Sequence, residues 1–102
     1  MNTKKEYLKS YRLQENVIRT LKRIAKENPT EAEICRKKIS DCENRRLKIA
    51  EKIEQMTDYR LKVVLYEKYI NGHTLEEVAQ ILNYSKRHTE RLHIAALKEF
   101  EP

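Results

Sequence analysis

The sequence predicts an all-α protein: a long antiparallel helical hairpin over residues 1–56, followed by a three-helix unit over residues 57–102. Three observations carry that reading. One Gly and two Pro among 102 residues leave too little punctuation for a fold of strands and tight turns. Apolar residues recur in steps of three and four along most of the chain, which is the helical period. Charged residues make up 37% of the chain, enough to solvate the outer faces of several amphipathic helices around one modest core.

The first helix is expected over residues 3–27. Tyr7, Tyr11, Gln14, Ile18, Leu21 and Ala25 form its seam, widened by Leu8, Val17 and Ile24. Asn28-Pro29 stops it, because proline disfavours helix in the residue before it. Thr30 with Glu33 reads as a capping box opening a second helix. Its seam is Cys35, Ile39, Cys42, Arg46, Ile49, Ile53 and Met56, a heptad-like pattern. The short connection implies an antiparallel hairpin. Gln14 and Arg46 interrupt the seam, which suggests register control or an arm that also packs on something else. Leu8, Val17, Ile24, Ile34 and Leu47 supply more apolar surface than one hairpin contact needs. Self-association of the arm, or contact with a partner protein, is therefore expected.

Thr57 or Asp58 caps a third helix over residues 59–70, with Leu61, Val64, Leu65 and Tyr69 on its buried face. Asn71-Gly72 ends it, glycine being able to take the left-handed position. The capped break at Thr57-Asp58, together with a change in charge balance there, predicts that residues 1–56 and 57–102 are separable. A fourth helix opens with a capping box, Thr74 with Glu77, and carries Leu75, Val78, Ala79 and Leu82 on one face. Asn83 and Tyr84 make a short turn. Ser85 is the N-cap of a fifth helix that buries Thr89, Leu92, His93, Ala96, Leu97 and Phe100. Arg87, Arg91 and Lys98 lie on the opposite line. A short helix, a tight turn and a helix with basic residues at its start make the geometry of a DNA-reading helix-turn-helix.

The formal charge is +6, which suits a polyanionic partner. It is uneven: residues 1–56 hold 15 Lys or Arg against 9 Asp or Glu, whereas residues 57–102 hold 7 of each. The N-terminal excess is either a solvated helical face or a phosphate-contacting one. In the C-terminal part the positive charge is focused on Lys86, Arg87 and Arg91. Arginine can pair with guanine O6 and N7, and both cations can neutralise phosphates. His88, beside them, either donates to a phosphate or base or is simply solvated. Thr74 and Ser85 would hold the two helices and could offer backbone N–H groups to phosphate.

Nothing in the chain suggests an enzyme, and no cofactor or metal is expected. A single glycine cannot build a phosphate-cradling loop. His88 and His93 are five apart and share no helical face, and His93 falls among core positions. Cys35 and Cys42 lie about 10.5 Å apart along one helix, too far for a disulfide, so they read as reduced core residues. The charged N-terminus is unlike a signal peptide, and no run approaches the ~18 apolar residues of a membrane span. A cytoplasmic location away from membranes is therefore expected.

The segment L-Y-E-K-Y-I-N-G-H-T-L-E-E-V-A-Q-I-L-N-Y-S-K-R, followed by A-A-L-K-E-F, resembles sigma-factor region 4, which recognises the upstream promoter element. More closely, the chain resembles small phage and prophage sigma-like regulators, the RinA/ArpU group of late-gene activators. That likeness rests on Tyr69–Gly72, on Asn83–Arg87, on Arg91, His93, Ala96 and Leu97, and on the opening Glu6–Arg12. It implies a sequence-specific transcription regulator, an activator of phage late genes, that binds double-stranded DNA. Thr89 and Glu90 depart from the pattern, which usually has a β-branched aliphatic and then a polar or basic residue. Glu90 either accepts from a cytosine amino group or repels phosphate. A small packaging-terminase-like subunit, and a helical adaptor that binds RNA polymerase and not DNA, are the alternative readings.

Overall fold

A computed structural model describes residues 3–102, and every regular element among them is helical. Helix α1 (Thr3–Glu27) ends at Asn28, whose extended backbone (φ −129°, ψ 87°) is the conformation a following proline imposes. The capping box expected at Thr30 and Glu33 does not form. Pro29–Glu31 make one 3₁₀ turn, and α2 (Ala32–Glu54) starts from Glu31 with no side-chain cap. Proline is the reason. Its fixed φ already suits a helix, so winding begins at Pro29 and Thr30 falls inside the turn.

α1 and α2 lie side by side along the arm. Where Arg46 interrupts the seam, its guanidinium stacks 4.6 Å from the centre of the Tyr11 ring and donates to the Tyr11 hydroxyl at 3.2 Å. Glu15 stands 3.9 Å away. The terminal nitrogen of Arg46 is thus partnered across the two helices, while its buried Nε has no hydrogen-bond partner among the described residues. Cys35 and Cys42 are buried and unbridged.

Helix α3 (Tyr59–Leu65) is capped by Asp58, whose carboxylate accepts from the amides of Arg60 and Leu61. It does not continue as α-helix to residue 70. Tyr66–Ile70 widen into a π turn, with the Asn71 amide donating to the Tyr66 carbonyl at 3.1 Å. Gly72, at φ +78°, ends the segment in the left-handed region. Helices α4 (Leu75–Leu82) and α5 (Lys86–Glu99) complete the chain.

One core joins all five helices. Leu8, Ile49, Ile53 and Met56 pack in the same cluster as Leu61, Val64, Leu65, Tyr69, Val78, Leu92, Ala96, Leu97 and Phe100. The break near residue 57 therefore lies in the chain and not in the packing. The cause is the start of α1, which lies on the C-terminal helices. The Tyr7 and Phe100 rings are 6.0 Å apart, and the Lys4 ammonium donates to the Lys98 carbonyl at 3.0 Å, a cation at a helix C-terminus. Leu8 belongs to this core and adds nothing to the surface of the arm, whereas Val17, Ile34 and Leu47 are exposed, as is Leu13. Among the described residues no helix is long and apolar enough to cross a membrane. The molecule is elongated, 51 × 24 × 24 Å.

Candidate nucleic-acid interface

The α4–turn–α5 segment is built by local chemistry that the sequence spells out. The Thr74 hydroxyl accepts from the Glu77 amide at 3.2 Å, and the Glu77 carboxylate accepts from the Thr74 amide at 2.8 Å. That reciprocal pair starts α4 and holds the Glu77 carboxyl below its ordinary pKa, chiefly through the Thr74 backbone hydrogen bond. α4 stops at Asn83, which takes the left-handed conformation (φ 58°, ψ 43°). The Asn83 amide then donates to the Gln80 carbonyl and the Tyr84 amide to the Ala79 carbonyl. These are the two bonds of a Schellman motif, with asparagine in the place usually taken by glycine. The Ser85 hydroxyl accepts from the His88 amide at 3.1 Å and starts α5.

α5 has two opposite characters. Thr89, Leu92, His93, Ala96, Leu97 and Phe100 are all buried, as expected. Thr89 is accommodated because its hydroxyl donates to the Ser85 carbonyl at 3.0 Å. His93 meets the Tyr69 hydroxyl at 2.7 Å, and burial, helped by Lys68 and Lys5, lowers its pKa to about 4. It is a core residue and neutral at pH 7. Arg87, Glu90, Arg91 and Lys98 are exposed. Among the described residues neither Arg87 nor Arg91 has an ion-pair partner. Ile94, 57% exposed, stands between Arg91 and Lys98 on the same line. It is an apolar residue suited to a thymine methyl group. Helical periodicity did not single it out; its signal was an apolar residue on the polar line of the wheel.

The remaining candidates behave differently. Lys86 is tied to Glu76, Nζ to Oε1 at 2.9 Å, and that bond raises the pKa of the ammonium and lowers that of the carboxyl. Its charge is therefore partly neutralised at the mouth between α4 and α5. Glu90 is exposed near it. His88 is half-buried with its ring edge-on to Tyr84, centroids 4.8 Å apart, so it packs on the turn. The hydroxyls of Thr74 and Ser85 are engaged as caps. Among the described residues no group of three or more His, Cys, Asp or Glu is placed to hold a metal ion.

Compared with family models, curated proteins and solved structures, the chain has no match.

Proposed function

We propose that the protein is a sequence-specific DNA-binding regulator of transcription, with α4 and α5 as a sigma-region-4-like helix-turn-helix and α5 as the helix that enters the major groove. The observation that carries this reading is the exposed line Arg87, Arg91, Ile94 and Lys98, set back to back with a fully buried apolar face on the same helix. A groove-reading helix needs that division: one face fixed to the scaffold, the other free to meet base edges and phosphates. Arg87 and Arg91 occupy its first two turns, where such helices meet DNA. The sequence resemblance to the RinA/ArpU group extends the reading to activation of phage late genes in the cytoplasm.

A second reading is favoured by Ile81 and Ile94, which are 51% and 57% exposed on α4 and α5. Apolar residues there suit contact with RNA polymerase. Selection from a random duplex library, with and without RNA polymerase, tests both. A site enriched by the protein alone, and lost on replacing Arg87 and Arg91, supports DNA reading. Binding to polymerase with no site enriched by the protein alone supports the adaptor, and the absence of both an enriched site and polymerase binding removes both readings.

A further inference from the structure

Basic side chains from distant parts of the chain meet beside the start of α4. Lys9 and Arg12 of α1, Lys68 of the π turn and His73 line one depression, together with Tyr69, Gly72 and Thr74. Arg12 is held there: its guanidinium donates to the Ile70 carbonyl at 3.4 Å, and a Cβ added at Gly72 would stand 2.6 Å from it. The bare glycine thus makes room for the arginine. Lys68 extends 5.5 Å from the centre of the Tyr69 ring. Its ammonium is pushed below its ordinary pKa by burial and by Lys5 and Lys9, so the cations are close enough to repel one another. Of the acidic side chains nearby, Glu15 stands 3.9 Å from the Arg12 guanidinium and offsets part of its charge, while Glu67 and Glu77 are turned to other tasks. Glu67 accepts from the Asn71 amide group and faces His73, and Glu77 caps Thr74. The depression adjoins a second one, lined by Lys68, Thr74, Leu75, Glu76, Lys86 and Glu90, which leads to the start of α5.

Gathering like charges is unfavourable in the free protein and becomes favourable when a polyanion crosses the site. We propose that Lys9, Arg12 and Lys68 form a seat for a phosphodiester of the DNA backbone, making the N-terminal helix part of the DNA-binding surface. This rests on the DNA-binding reading of α5. The seat positions without reading sequence, because phosphates carry no base identity. It also gives the start of α1 a reason to lie on the C-terminal helices.

The test needs no knowledge of the target site, since a labelled duplex of random sequence presents the same phosphates. Binding is measured over a series of salt concentrations for the full-length protein, for Lys9→Gln with Lys68→Gln, and for Lys26→Gln with Lys37→Gln. The last pair removes the same charge at the far end of the arm, where both residues are exposed. The seat variant is expected to weaken binding and make log K against log salt shallower by about one for each phosphate no longer neutralised. The far-end variant is expected to match wild type. Lys68→Arg should restore the slope, and Lys9→Gln alone, at an exposed position, covers the case in which Lys68→Gln perturbs folding. Equal losses from the two pairs overturn the seat in favour of general charge attraction, as does an unchanged slope. Wild-type protein that binds no duplex overturns the DNA-binding reading itself.

Discussion

The Tyr69 hydroxyl lies 2.7 Å from Nε2 of His93, inside the core that the π turn shares with α5. Burial raises the tyrosine pKa to about 12 and lowers that of the histidine to about 4, so each is the neutral partner the other requires. Replacing Tyr69 with Phe leaves a buried ring nitrogen unpaired and should cost about 1–3 kcal/mol. The pH dependence comes from the same pair. Unfolded, His93 takes a proton near its ordinary value of 6.5; folded, it resists until about pH 4. The unfolded chain therefore binds more protons in that window, and this contribution is complete above pH 6.5 and lost as pH falls toward 4. Tyr69 acts in the opposite direction: its contribution is complete below its ordinary value of 10 and lost as pH rises toward 12. Urea unfolding across pH checks both, and His93→Gln should flatten the acid limb.

Leu8 is fully buried in the cluster that holds Phe100 and Leu65. Leu8→Ala should destabilise the whole protein by about 2–5 kcal/mol in a single transition. A fragment of residues 57–102 should not fold alone, because removing the arm uncovers that cluster. Circular dichroism melts of the variant and the fragment decide this. A fragment with a cooperative melt near that of the full chain would show the arm to be dispensable.

Arg87 and Arg91 lie four apart on the exposed line of α5. Changing either to Ala removes no buried group and should alter folding stability by less than ~0.5 kcal/mol. If the side chain reads a guanine, binding to the selected site should weaken by about 1–3 kcal/mol, with relaxed preference at one base. If it only meets phosphate, all sequences should weaken together and the salt dependence should become shallower. A double variant indistinguishable from wild type on specific and scrambled duplexes would remove α5 as the reader.

Glu76 holds Lys86 at 2.9 Å beside the start of α5. Glu76→Gln should release that ammonium and remove a carboxylate from the approach of a phosphate. Tighter binding to random duplex, with a steeper salt dependence, is the expected outcome. Weaker binding would mean that the pair positions Lys86 for DNA and does not restrain it.

What was legible in the sequence is what neighbouring residues decide. The Thr74–Glu77 box, the Ser85 cap and the Gly72 stop depend on partners a few residues away, the six buried positions from Thr89 to Phe100 follow from the helical period, and each stands where the local pattern put it. The Thr30 box failed within the same range because Pro29 started the helix first. Pairings between distant segments left no periodic trace. Leu8 on the C-terminal core, Glu76 on Lys86, and Arg12 on the Gly72 turn all depend on how helices are placed, which a single helical wheel does not encode.

The π turn at Tyr66–Ile70 fixes where the chain can tolerate a change of length. A π turn takes about one residue more than an ordinary helical turn, so losing one residue within it leaves α3 and the segment beyond in the same relation, whereas losing one from α3 itself would rotate that segment by about 100°. Lys68 would swing away from Lys9, and Tyr69 away from His93. The stretch from Asn28 to Glu31 carries no buried residue, and none of its side chains caps α2. Insertions and deletions accepted by the tip of the arm should therefore be rejected within α3, between Tyr59 and Leu65.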